Sequence, residues 1–370
     1  MKELRDAKAI RTLLRDITNL ARPLVRPLRI MEVCGTHTMA LFRYGLTPLL
    51  AEAGVEMISG PGCPVCITPG AIHEAAIALL AGREGLILAT FGDMTRVPTR
   101  KGSLQTAVAA RNSRSRIVYS PEEALEEARG NPSREAVFFG AGFETTIPAI
   151  ALTVKRAAAE GLRNFSVLPA LWLIPPALRA LLESGDAAIS GFIYPGHVSA
   201  VIGLQPYEFI AEEFGVAGAV AGFEPGDILL AVRSVLGQNA ERKPRVALEY
   251  TRAVRTEGNP GARAVMGEVF EPYDALWRGL GKIPVSGLTF RKRYARFDAR
   301  ARFGLRIRDS GKDLPGCRCG EVLRARIRPK DCPLFATRCT PESPFGPCMV
   351  SYEGSCLIHH KFNRGRGRAS

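Results

Sequence analysis

Eight short apolar runs, each closed by a glycine- or proline-rich turn and followed by a helical stretch, decide what this chain can fold into. Four lie in residues 28–128: LRIMEVCG, VEMISGPG, GLILATFG and RIVYSPEE. Four more lie in residues 135–232: EAVFFGAGF, FSVLPALWL, AAISGFIYPG and VAGAVAGFEPG. Runs this short, bounded by turn residues and alternating with helices, read as β-α units of a parallel sheet, because parallel neighbours need a long right-handed crossover. Matched in order, the two sets repeat at an offset of roughly 100–107 residues, and a spacing kept over four elements marks an internal repeat. The expected fold is α/β, with two similar parallel-sheet domains over residues 25–130 and 131–235. From about residue 236 the pattern breaks into glycine- and proline-rich sequence, so 236–370 is expected to be a separate cysteine-bearing domain, packed with the N-terminal helix 1–24.

At 370 residues, with 46% hydrophobic and 23% charged residues, the chain can give each of these units a core. Leu4, Ala7, Ile10, Leu13, Ile17 and Leu20 recur at helical spacing among charges, which describes an amphipathic helix rather than a signal peptide. No apolar run approaches the length of a membrane span, and a cytoplasmic location is expected. In that compartment nine cysteines are read as metal ligands or redox thiols ahead of structural disulfides.

The cysteines fall into two unlike groups. Cys34, Cys63 and Cys66 lie on loops after the first two apolar runs, where ligands bind in parallel sheets. Cys34 opens Cys34-Gly35-Thr36-His37 at an expected helix N-terminus, where peptide dipoles favour thiolate. His37, three residues on, shares its face and could ligate a metal or bond the sulfur; the plainer reading is a buried cysteine with Thr36 as a helix cap. Cys63-Pro64-Val65-Cys66 is a dithiol at a strand-to-helix turn, read as a redox couple, or as half a zinc site lacking a second pair. The C-terminal set, Cys317-x14-Cys332-x6-Cys339-x16-Cys356, has the scattered spacing of cluster ligands more than the tight pairs of zinc ribbons. Cys319 or Cys348 could replace one of those four. Asp93, Glu144, Thr145, Thr146 and His197 sit on matching strand-end loops as candidate cleft residues, each alone equally a helix cap or a satisfied buried group.

Two further features restrict function. Between Ser286 and Lys330 there are 14 lysines and arginines against 4 acidic residues, part of a net charge of +14. Such a block suits nucleic acid, an acidic partner or an acidic electron donor, or is simply a solvated face. There is no G-x-x-x-x-G-K-[ST] phosphate loop and no C-x-x-x-C-x-x-C run, which argues against phosphate-loop ATP hydrolysis and radical chemistry of that type. From these residues three readings stand: a metallocofactor scaffold, an iron–sulfur thiol–disulfide reductase, and a zinc-stabilised nucleic-acid-binding protein.

Taken together, Cys34-Gly35-Thr36-His37-Thr38, Gly60-Pro61-Gly62-Cys63-Pro64-Val65-Cys66, Gly142-Phe143-Glu144-Thr145-Thr146, Tyr194-Pro195-Gly196-His197-Val198 and Trp277-Arg278-Gly279-Leu280-Gly281 resemble the HypD family of NiFe-hydrogenase maturation factors. The C-terminal four-cysteine spacing matches too, so the resemblance covers residues 30–356 or nearly the whole chain. The resemblance implies a scaffold on which the Fe(CN)2CO group is assembled, sharing iron with a HypC-type partner and receiving cyanide from a HypE-type partner. It implies Fe(II) on Cys34 with His37 beside it, a redox dithiol at Cys63 and Cys66, and a 4Fe-4S cluster on Cys317, Cys332, Cys339 and Cys356. On this reading nucleic acid is not a partner, and the protein is a redox scaffold more than a turnover enzyme. The arginine-rich tail 364–370, read as a disordered end, is no part of the pattern.

Overall fold

The computed structural model describes residues 3–185, 188–307 and 314–363, so the tail 364–370 lies outside the described residues. Seven of the eight runs become strands and the fourth only borders one, β4 taking just Arg116 and Ile117 of RIVYSPEE: β1 (Leu28–Glu32), β2 (Val55–Ser59), β3 (Leu86–Thr90), β4 (Arg114–Ile117), β5 (Glu135–Gly142), β6 (Phe165–Leu171), β7 (Gly191–Pro195) and β8 (Ala217–Ala221). A short ninth strand, β9 (Val246–Leu248), follows, and then an antiparallel hairpin of β10 (Phe270–Trp277) and β11 (Gly281–Phe290). Two parallel sheets result, in the orders β2-β1-β7-β8-β9 and β4-β3-β5-β6. The α/β class with two parallel-sheet domains is therefore as the sequence implies.

The boundaries at 130 and 235 are corrected by the pairing. Each sheet takes strands from both halves of the chain, and the sheet holding β3 to β6 is an insertion between β2 and β7. The internal similarity is real but runs differently: β2-β1-β7-β8 has the same order as β4-β3-β5-β6, so β1 corresponds to β3 and β7 to β5. Apolar runs of equal length carry no label for their neighbours, and matching them in sequence order chose the wrong partners. Residue 235 falls inside the helix Pro225–Glu241, and β9 beyond it completes the first sheet.

The N-terminal helix Ala7–Ala21 also sits elsewhere than expected. It packs on the helix Pro225–Glu241, where Ile17 and Ala21 share a core with Leu229, Val232 and Leu236. Its amphipathic stripe meets an apolar helix face of the first sheet rather than the cysteine region.

Another core joins the two sheets to the cysteine region, while Phe138, Phe165, Phe270 and Phe290 belong to a separate one on the other face of the second sheet. Phe139, Leu168 and Trp172 from one sheet, Phe192, Tyr194 and Val220 from the other, and Cys63, Cys66, Cys339, Cys348, Met349 and Cys356 belong to a single buried cluster. Side chains packed at crystal-like density transmit position between neighbours, so the strand-end loops are held mutually as well as by their own strands. Among the described residues no helix is long and apolar enough to cross a membrane.

Candidate functional site at the strand ends

In both sheets the strand order reverses between two central strands, β1 and β7 in one and β3 and β5 in the other. Loops diverge at such a switch point and leave a crevice. Cys34 stands at the first of them. It follows β1 in extended conformation and caps the helix Gly35–Arg43.

At Cys34 burial works against the helix terminus. Burial pushes the Cys34 thiol up to about 12, and the nearby Glu353 carboxylate adds to this, while the amides of His37 and Thr36 pull weakly the other way. Desolvation outweighs the helix terminus because Cys34 is only 7% exposed. Glu32, at the end of β1, lies beneath it: its Oε2 accepts the Cys34 N–H at 3.0 Å and its Oε1 accepts the Thr38 hydroxyl. Burial raises that carboxyl to about 8 despite these bonds.

His37 is fully buried and faces away from the role of bonding the sulfur. Its Nε2 lies 3.0 Å from the Gly222 carbonyl oxygen and 3.3 Å from that of Ala221. Carbonyls only accept, so Nε2 carries the proton and Nδ1 keeps its lone pair. Nδ1 is buried with no hydrogen-bond partner among the described residues, and desolvation lowers the imidazole to about 4. The ring stacks on Phe223 at 4.8 Å, and the other face of Phe223 takes the exposed His197 at 4.0 Å. The loop is anchored by Asp227, which accepts the Glu224 N–H at 3.0 Å and pairs with Arg252.

The C-x-x-C loop is brought against Cys34. Gly62 O accepts the Gly35 N–H at 3.3 Å, and a Cβ on Gly62 would lie 2.6 Å from the Cys34 Cα, so only glycine lets the loops meet. Cys63 and Cys66 are joined as a disulfide, both buried, across the short helix Pro64–Ile67. The tryptophan hairpin secures the far end of that helix. Arg278 N donates to Ile67 O at 2.8 Å and Arg278 Nε to Thr68 O at 3.1 Å, while Trp172 Nε1 donates to Thr68 Oγ1 at 3.2 Å.

The third wall comes from the C-terminal region. Thr36 Oγ1 donates to Glu353 Oε1 at 3.2 Å, and the Glu353 backbone lies against Gly35. Ser351 Oγ donates to Asp93 Oδ2 at 2.9 Å and accepts the Glu353 N–H at 3.3 Å. Burial raises both Asp93 and Glu353. Three carboxyl groups, Glu32, Asp93 and Glu353, thus surround the Cys34 loop.

Among the other expected cleft residues, Glu144 is buried, accepts the Ile174 N–H at 3.0 Å, and is pushed by burial up to about 7. The Tyr207 hydroxyl, raised by burial first and then by Glu144, accepts from Ser199 Oγ at 3.5 Å. Thr145 is exposed and Thr146 precedes the helix Ile147–Ala159 without a side-chain cap bond, so these two shape a turn. The residues that sequence reasoning missed are Glu32, Glu353, Ser351, Tyr207 and Phe223. Glu32 had a signal, a charge within an apolar strand run; Glu353 had none.

Cys317, Cys319, Cys332, Cys339 and Cys356 line one small cavity with Val322, Leu334, Phe335, Phe345 and Met349. Cys348 is wholly buried behind it, and its sulfur reaches those of Cys319 and Cys356. Among the described residues no group of three or more His, Cys, Asp or Glu stands in metal-binding geometry. The donor set nevertheless fits a thiolate-held cluster: soft sulfur ligands around one space under apolar cover. All four expected ligands face that space, as Cys319 does and Cys348 does not.

The family model described as "HypD: Hydrogenase formation hypA family" matches residues 8–363. The chain belongs to the HypD family. It is 45% identical to the hydrogenase maturation factor HypD of Rhodobacter capsulatus, over 98% of both chains. It is 46% identical to that of Rhizobium leguminosarum bv. viciae, over 98% of this chain and 95% of the relative. Against HypD of Escherichia coli K12 the identity is 45%, over 93% and 91% of the two chains. The match spans all three walls of the Cys34 site.

Proposed function

We propose that this chain is a maturation factor for NiFe-hydrogenase, the scaffold on which the Fe(CN)2CO group is assembled. The observation that carries the reading is the position of the Cys34 loop, wedged between the disulfide loop at Gly62 and the Ser351–Glu353 segment that leads to Cys356. Iron, dithiol and cysteine cavity would then serve one another at short range.

In this reading ferrous iron is cargo. Cys34 Sγ loses its proton as it binds the cation, and a HypC-type partner supplies a second thiolate. Burial holds the Cys34 thiol protonated and works against ionisation of Glu32, Asp93 and Glu353 around it; an arriving divalent cation would favour the ionised form of each. His37, with Nε2 tied to carbonyls, presents an unprotonated Nδ1 as ligand or proton acceptor. A HypE-type partner delivers cyanide. A 4Fe-4S cluster, held by Cys317, Cys332, Cys339 and Cys356, supplies single electrons when bound. The Cys63–Cys66 disulfide takes up two electrons and two protons to become two thiols. The cytoplasm, with its reducing poise, suits all of these groups.

The test is anaerobic purification with the two partners, followed by infrared spectra in the cyanide and CO stretching region and by iron, sulfide and zinc analysis. The bands are expected in the complex. Cys34→Ala should remove them and leave iron and sulfide of the cluster in place. Stoichiometric zinc without sulfide, or loss of the cluster in Cys34→Ala, would sink the assignment.

A further inference from the structure

Six cysteines lie in the C-terminal region, and a four-iron cluster takes four of them, so two thiols are left over. The geometry makes Cys348 one of the two. Cys317, Cys319, Cys332, Cys339 and Cys356 line the cavity, whereas Cys348 is 0% exposed behind it. Its sulfur is nevertheless hydrogen-bonded to the sulfurs of Cys319 and Cys356. Cys356 is an expected ligand whether Cys317 or Cys319 completes the set.

The segment that carries Cys348 runs along the other sulfurs of the cavity. Phe345 N donates to Cys339 Sγ at 3.3 Å, and the Gly346 N–H is directed at the same sulfur. A Cβ on Gly346 would lie 2.5 Å from Cys317 Sγ and 2.6 Å from Cys319 Sγ, so only glycine lets the backbone pass this near to them. The turn Pro347–Met349 follows at once, closed by Met349 N on Gly346 O at 3.1 Å and by Val350 N on Pro347 O at 2.9 Å. Residues 345–348 therefore bring a row of donors to the sulfurs: backbone N–H groups at Cys339 and a thiol at Cys356.

We infer that Cys348 is a non-ligand thiol whose S–H donates to the Cys356 sulfur and raises the reduction potential of the bound cluster. The inference rests on the 4Fe-4S cluster of the proposed function. As a cluster ligand Cys356 is a thiolate and only accepts, so the shared proton belongs to Cys348. The reduced cluster carries one more electron than the oxidised one, and a donor at a ligand sulfur stabilises the more negative state. Hydrogen bonds to the sulfurs thus make a cluster easier to reduce, and burial away from water strengthens the effect. No bond breaks and no proton leaves Cys348 in that change. Its role is positioning and tuning, at one bond's remove from the metal.

The experiment is a dye-mediated redox titration of the anaerobically reconstituted full chain, followed by visible absorption. Iron and sulfide analysis, circular dichroism and electron paramagnetic resonance of the reduced samples accompany it. Cys348→Ala should keep the iron, sulfide and resonance of the wild type and shift the equilibrium with a reference dye about threefold or more toward the oxidised cluster. Cys348→Ser restores a donor and should bring the potential back toward that of the wild type. Loss of iron and sulfide in either variant, with circular dichroism unchanged, would make Cys348 a ligand and overturn the inference. An unchanged potential in Cys348→Ala at full cluster content overturns it as well. Both of these outcomes leave the cluster reading standing, whereas a wild-type chain that binds no iron and sulfide removes that reading and the inference together.

Discussion

The two sheets share a strand order and each opens a crevice at its switch point, yet they furnish it differently. At β1 and β7 the loops carry Cys34 and His37, with a glycine-mediated approach of the disulfide loop. At β3 and β5 the equivalent positions carry Asp93 and Glu144, which accept bonds from Ser351 and from the Ile174 N–H. One crevice holds a nucleophile and a free imidazole nitrogen; the other holds carboxylates that brace the neighbouring walls. Topology offers the same opening twice, and the side chains decide which one is furnished for chemistry under the proposed function.

The largest contrast should come from the glycines. Gly62→Ala puts a methyl group against the Cys34 backbone, which cannot yield; a loss of roughly 3 kcal/mol or more in denaturant unfolding is expected, with loss of iron. Gly142→Ala in the other sheet meets the Thr146 side chain, its Cβ at 2.5 Å, and should cost about 1–2 kcal/mol. Equal costs would break the comparison.

The buried histidines give the next test. His37 bonds two carbonyls, whereas His73, packed on Phe139 of β5, has neither nitrogen bonded and is lowered by burial and Arg278 to about 3. Its ordinary value is 6.5, so between pH 6.5 and 4 the unfolded chain binds a proton that the folded chain does not. Stability is therefore full above pH 6.5 and falls as the pH drops. His73→Phe should flatten that fall by roughly 2–3 kcal/mol and raise stability at pH 7, read from urea melts across the range. His37→Phe should instead be destabilising at pH 7, because it strands the Gly222 carbonyl, although it too flattens the fall below pH 6.5.

A smaller effect separates the carboxylates. Glu353→Gln removes a negative neighbour of Cys34, lowers its thiol pKa, and should speed alkylation at pH 8 by about three- to tenfold. Glu144→Gln should leave that rate unchanged. If the two behave alike, the field at Cys34 does not come from the C-terminal segment.

Much of this was legible in the sequence, and the rest was hidden for definite reasons. Seven of the eight apolar runs became strands because hydrophobic runs ending in Gly or Pro state their own conformation locally; the exposed β4 begins two residues before RIVYSPEE and ends at Ile117. Their neighbours did not follow, since pairing is decided by crossovers far apart in the chain. The cysteines of the site were visible by residue type and spacing. Glu353 was invisible, because its carboxyl matters only after a C-terminal segment reaches Gly35, which no local pattern encodes. The burial that raises the Cys34 thiol was hidden for the same reason: a helix terminus can be read from sequence, but the depth of burial cannot.

The insertion of β3 to β6 between β2 and β7 has a consequence for the order of assembly. As the chain leaves the ribosome, β1 and β2 emerge first, but their sheet lacks β7, β8 and β9 until residues 191–248 have been made. The inserted sheet, complete at residue 171, can close while the first still waits. Cys34 is therefore translated early and enclosed late, its last wall being Glu353. A nascent chain halted anywhere before that point carries the thiol without its pocket, so under the proposed function metal loading would be confined to molecules whose synthesis is almost finished.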